Sequence, residues 1–142
     1  MSKFYTKLTS RLQKFIEAQK MFFVATAPKN GRINLSPKGM DSFRVLNENR
    51  IAWLSVTGSG NETSAHVQHQ PRMTIMFCAF EKQPLTLRLY GKPTAIHQAD
   101  ALWQEEVPQV CSPGAPVRLA IAPPELAKEI IAVAKIVRQK SV

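Results

Sequence analysis

Two stretches decide the fold: Arg72-Met73-Thr74-Ile75-Met76-Phe77-Cys78-Ala79-Phe80 and Leu85-Thr86-Leu87-Arg88-Leu89-Tyr90-Gly91. Both are short, rich in β-branched and aromatic residues, and bounded by turn formers, which marks them as strands. Glu81-Lys82-Gln83-Pro84 joins them, and Lys92 to His97 prolongs the second beyond Gly91. Upstream, Met21 to Ala27 is an apolar run ended by Pro28-Lys29-Asn30-Gly31. The Asn-Gly pair tolerates positive φ, so a tight hairpin is expected there, with Arg32 to Leu35 as the returning strand. Ser36-Pro37-Lys38-Gly39-Met40-Asp41 should then interrupt regular pairing, because Pro37 has no amide donor and Gly39 relaxes the backbone. Ser42 to Leu46 and Ile51 to Val56 read as two further strands around Asn47-Glu48-Asn49-Arg50. Strands at this spacing predict an all-β barrel.

Helical signals flank that core. Phe4, Leu8, Leu12, Phe15 and Ile16 recur at three- and four-residue spacing within residues 3 to 20, an amphipathic helix. Asn61 is a candidate cap for a short helix through Gln70, stopped by Pro71. Residues 99 to 107 suit another around Leu102 and Trp103, and Val117 to Ala122 a last strand. Pro123-Pro124 then opens a final helix with Leu126, Ile130, Val133, Ala134 and Val137 along one face. The expectation is a mainly β fold, a β-barrel with flanking helices. It forms one domain over residues 1–142, with the N-terminal helix in 1–20, the barrel in 21–97, and C-terminal helices and the last strand in 98–142.

Composition bounds the function. With 142 residues and 44% hydrophobic content, the chain can bury one real core. Nineteen Lys and Arg against ten Asp and Glu give a net charge of +9, which favours anionic partners. Residues 1–20 hold five basic groups and one acidic, and residues 125–142 hold four and two, so a nucleic-acid or acidic-lipid contact would rest on the termini. Cys78 and Cys111 have neither zinc-site nor disulfide-framework spacing, which fits reducing cytoplasm. No apolar stretch approaches the roughly 20 residues that span a bilayer, and no cleavable leader is apparent.

Two places could carry chemistry. Thr57-Gly58-Ser59-Gly60-Asn61-Glu62-Thr63 leads from a strand into a helix start, where close backbone approach, free amides and hydroxyls suit a phosphate, although a Gly-Ser-Gly stretch before a helix is more often a plain turn. Ser36-Pro37-Lys38-Gly39 presents a hydroxyl beside a cation, for a phosphate, a flavin carbonyl or solvent. Arg88 alternates with Leu87 and Leu89 and points from one sheet face, to solvent or into a cleft. His66 and His69 share a helical face, but no cysteine or acidic cluster completes a metal site. No nucleophile elbow or Cys-His-acid arrangement is present, so chemistry would belong to a cofactor.

Taken in order, Ser36-Pro37-Lys38-Gly39, Gly58 to His66, Arg72 to Phe80 and Arg88-Leu89-Tyr90-Gly91 resemble the pyridoxamine 5′-phosphate oxidase-like, FMN-binding family. The likeness covers roughly residues 15–97 and is greater to flavoproteins carrying these strings than to the biosynthetic oxidase. It implies a six-stranded split barrel that forms a homodimer, with FMN at two sites built from both subunits. By the resemblance, Ser36 and Lys38 run past the flavin, and Ser55, Val56 and Thr57 lie along the ribityl chain. Gly58, Ser59 and Thr63 serve the phosphate, and Arg88 closes the pocket. Glu62-Thr63 stands where biosynthetic oxidases carry adjacent basic residues, so phosphate charge falls to Lys38, Arg32 or Arg88. The oxidase's C-terminal Arg and His substrate signature is absent, which argues against pyridoxamine phosphate as substrate. The expected function is flavin-dependent oxidation or reduction of a small molecule in the cytoplasm. The alternatives are a flavin-sensing or anion-binding module whose basic ends contact nucleic acid or acidic lipid, or a haem protein using His66.

Overall fold

In a computed structural model, residues 3–39, 42–55, 60–82, 84–97, 99–102 and 129–141 are described. Period-two burial organises the central strands. Phe22, Val24 and Thr26 are buried in β2 (Phe22–Thr26), and Met73, Ile75 and Phe77 in β6 (Met73–Ala79), while the residues between them face outward. β7 (Leu85–His97) continues the pattern with Leu87 and Leu89 inside, and a register shift falls between Tyr90 and Lys92. The other strands are β1 (Lys3–Tyr5), β3 (Asn34–Lys38), β4 (Phe43–Asn47), β5 (Arg50–Ser55) and β8 (Glu129–Ser141). They form one eight-stranded antiparallel sheet in the order β3-β2-β6-β7-β8-β5-β4, with β1 paired to β8. The mainly β barrel class expected from sequence is present, with more strands than the six anticipated.

The inward side chains close the sheet on itself. Phe22 of β2 meets Phe43 of β4 with ring centroids 4.8 Å apart, and lies 5.7 Å from Phe77 of β6. Phe43 also stacks on Trp53 of β5, which is fully buried. β2 and β4 stand near opposite ends of the strand order, so these contacts curl the sheet around a shared core. Two helices cover it. In α1 (Ser10–Glu17), the Thr9 hydroxyl accepts from the Leu12 amide, and Leu12 and Ile16, one turn apart, are buried beside Leu8. In α2 (Gly60–His69), Val67 joins the core.

Four sequence expectations need correction. The helix expected after Pro123-Pro124 is replaced over Glu129–Ser141 by β8, which lies between β7 and β5 and then between β7 and β1. Its run of Ile130, Ile131, Val133, Ile136 and Val137 satisfies helical spacing, but β-branching and a place inside the sheet favour the extended form. The N-terminal helix is shorter than residues 3–20 because Lys3–Tyr5 pairs with β8. The interruption expected over Ser36 to Asp41 starts later than its first three residues: β3 pairs with β2 without a break from Asn34 to Lys38 and ends before Gly39. Pro37 is tolerated there because β3 is an edge strand. The turn before β3 is also wider than a tight hairpin, running from Ala27 to Ile33, with Gly31 at φ 147°. Val117 to Ala122 and most of residues 99 to 107 lie outside the described residues.

Truncating Phe77, which joins β6 to both Phe22 and Phe43, should cost about 3–5 kcal/mol, whereas Met21→Ala at an exposed position should stay within about 0.5 kcal/mol. Urea unfolding of the two variants against the parent protein checks the contrast.

Candidate functional site

The buried polar residues converge on one seam. Thr26, Asn34, Ser36, Ser42, Ser55, Thr63 and Ser64 are the buried polar residues among those described, and they lie on the end of β2, on β3, on the turn into β4, at the end of β5 and on α2. Alternation along the edge strand β3 puts Asn34, Ser36 and Lys38 on one face. At its first rung, Asn34 Nδ2 donates to Thr63 Oγ1 at 3.0 Å. One strand over, Thr26 Oγ1 lies 3.1 Å from His66 Nδ1, while His66 Nε2 is 3.9 Å from Glu62 Oε1. These contacts fasten the start of α2 across the open end of the β2-β3 pair.

Backbone bonds bring the other end of β3 to β5. The Ser42 amide and hydroxyl both donate to the Gly39 carbonyl, at 3.3 and 2.8 Å, and the Leu54 amide donates to the Ser42 carbonyl at 3.0 Å. Lys38, just before Gly39, is thereby held near the end of β5, where Ser55 is buried. Burial pushes the Lys38 ammonium below its ordinary value of 10.5. Ser36, between Asn34 and Lys38, buries a hydroxyl with no hydrogen-bond partner. An unmet buried hydroxyl beside a half-buried cation is a place for a polar ligand to complete.

Of the residues proposed from sequence, the structure assembles Ser36, Lys38, Ser55 and Thr63 along this seam. Val56, Thr57, Gly58 and Ser59 fall outside the described residues. Arg88 is placed elsewhere: the cross-strand row Pro37, Phe23, Met76, Arg88 lies on the outer face, opposite to that of Ser36. Sequence reading did not find Asn34 or Thr26, because the expected break after Leu35 hid the Asn34-x-Ser36-x-Lys38 alternation. A cleft of about 580 Å³ opens on the outer side, among Ala25, Ile33, Arg72, Thr74, Tyr90 and Lys92. It meets the seam only at Thr26, so this recess and the buried polar groups do not coincide.

Among known proteins, the family model described as pyridoxamine 5′-phosphate oxidase matches residues 8–121. The chain is 41% identical over 100 residues to the pyridoxamine 5′-phosphate oxidase family protein ustO of Aspergillus flavus. That match takes in 68% of this chain and 40% of ustO, so the chain spans well under half of its curated relative. A HupZ variant from Group A Streptococcus superposes with a TM-score of 0.70 over 94% of this chain and 98% of its own, at 17% identity. A pyridoxamine 5′-phosphate oxidase-related, FMN binding protein from Nostoc punctiforme gives 0.60 over 86% and 73%, at 19% identity. At such identities the structural likeness is one of fold.

Two outcomes follow from the seam. Thr63→Val leaves the Asn34 amide facing a methyl group, so it should cost about 1–3 kcal/mol. Adding Asn34→Leu should restore part of that loss, a coupling measurable by a double-mutant cycle in urea. For Lys38 the folded state holds fewer protons than the unfolded chain between its lowered pKa and 10.5, so stability rises with pH through that window. Below the window the cost of burying the charge is present in full, and above it that cost is gone. Lys38→Met should abolish the rise in urea midpoints measured across alkaline pH.

Proposed function

The chain belongs to the pyridoxamine 5′-phosphate oxidase family, and from that premise we propose that it binds FMN and acts as a flavin-dependent oxidoreductase on a small molecule. The observation that carries this reading is the buried, unpartnered Ser36 hydroxyl on the same strand face as half-buried Lys38, at a sheet edge. A flavin offers carbonyl and ring-nitrogen acceptors for such donors, and the edge strand adds backbone groups that no neighbouring strand uses among the described residues. The fit of donors to acceptors supports the cofactor.

Ser36 and Lys38 would hold the ring system, and Ser55 with Val56 and Thr57 the ribityl chain. Gly58, Ser59 and Thr63 would hold the phosphate at the start of α2, whose free amides favour an anion. Glu62 opposes that charge, yet its carboxylate lies toward His66. FMN, when bound, supplies the hydride or electron transfer; the chain's own residues bind it, orient it and hold water away.

Arg88 enters this scheme through a second copy. The outer face exposes Ile33 just before β3, Leu35 on β3 and Phe80 just beyond β6, with 76%, 63% and 83% of their surfaces open. Two such faces brought together would bury an apolar patch and carry Arg88 of one chain toward the edge strand of its partner, so the assembly is a homodimer.

Protein purified without added cofactor, or reconstituted with FMN, should show flavin absorbance and run as a dimer by light scattering. Ser36→Ala and Lys38→Met should each weaken FMN about tenfold, the equivalent of one lost hydrogen bond to a polar ligand. Failure of FMN to bind after reconstitution would overturn the proposal.

A further inference from the structure

The outer cleft has a chemistry of its own. Its floor is a cross-strand row: Ala25 pairs with Thr74, and Thr74 with Tyr90. Ala27, Ile33 and Pro71 add apolar wall, so the recess is a greasy trough with hydroxyls along one line. The last rung between β6 and β7 is Met73 opposite Gly91. One position further on, Arg72 and Lys92 stand at facing positions, and both are exposed. Like charges at facing positions repel. The lining contains no Asp or Glu to neutralise them, and among the described residues neither cation takes part in an ion pair or side-chain hydrogen bond.

We propose that this cleft is a second ligand site, for a small organic anion: an apolar, flat body carrying one carboxylate or phosphate. The anionic group would sit between Arg72 and Lys92, relieving their repulsion, while the body lies over Ala25, Ala27 and Ile33 against Tyr90. Arg72 offers a planar fork and Lys92 a mobile point charge, a combination that accepts either anion. About 580 Å³ is far more than inorganic phosphate needs and falls within the range of pockets that hold drug-sized molecules. The site is separate from the proposed flavin seat, because its floor of Ala25, Thr74 and Tyr90 shares the sheet face of Leu35, opposite to that of Ser36 and Lys38. Ile33 also belongs to the apolar patch assigned above to the dimer, so a docked partner would border the cleft.

The test is calorimetric titration of the full chain, with and without FMN, using phenyl phosphate, 1-naphthoate, inorganic phosphate and the neutral 1-naphthalenemethanol. The expected result is that phenyl phosphate or 1-naphthoate binds at one site per chain in both states, with the stronger of the two identifying the preferred anion. Inorganic phosphate and the neutral alcohol should bind at least about tenfold more weakly, since each lacks one half of the recognition. Arg72→Gln with Lys92→Gln should weaken the preferred probe about tenfold or more, and Ser36→Ala should leave it unchanged. Equal binding of the neutral alcohol, or indifference to the double substitution, would overturn the proposal. So would stoichiometric displacement of the probe by FMN, which would make the cleft part of the flavin seat. If the flavin proposal alone fails, FMN does not bind while the anionic probe still does.

Discussion

Contact between Phe22 and Phe43 is the constraint on which the other features depend. These residues come from strands near opposite ends of the sheet order, and nothing in backbone pairing alone would bring them together. Trp53 and Phe77 complete the cluster, so β2, β4, β5 and β6 present aromatic rings to a common centre. Edge-to-face and offset geometries add to the apolar area removed from water. The sheet therefore curls until its first and last strands approach, and the turn from β3 to β4 has only to cross a short gap.

That gap is where polarity is permitted. Inside the cluster the rungs are filled by apolar and aromatic side chains, whereas along β3 the inward positions are Asn34, Ser36 and Lys38. α2 lies across the margin of the seam and satisfies Asn34 and Thr26 through Thr63 and His66. Ser36 is left without a partner. A single helix thus both seals the hydrophobic interior through Val67 and sets the boundary of the polar seam. Core packing and closure of the polar seam share the same ten-residue element.

The sequence disclosed the parts of this architecture that depend on local pattern. The strands at β6 and β7 were readable from composition and bounding turns, and α2 from its stop before Pro71, because neighbours in sequence decide those elements; Asn61, the expected cap, already lies inside the helix. β8 was not, since Ile130, Ile131 and Val133 carry both periodicities at once and only the vacancy between β7 and β5 selects the strand. β3 was misread in the opposite sense. Proline argues against a strand in general but not at an edge, and edge position is a property of the whole sheet. The site inherited that limit: Ser36, Lys38, Ser55 and Thr63 came from motif resemblance, while Asn34 and Thr26 required knowing which face of β3 meets α2. Arg88 was legible as a strand residue, but its separation from Ser36 by three strands and one sheet face was not.

Pro37 has a further bearing, on how copies of the chain can associate. A bare edge strand invites another chain to add itself as the next strand, a route to open-ended aggregation. β3 is such an edge, and proline interrupts its row of amide donors at the fourth of five positions, so an incoming strand would find a broken ladder. Growth by strand addition at this edge is discouraged, which favours the broad faces of the sheet as surfaces through which self-association can proceed and still terminate.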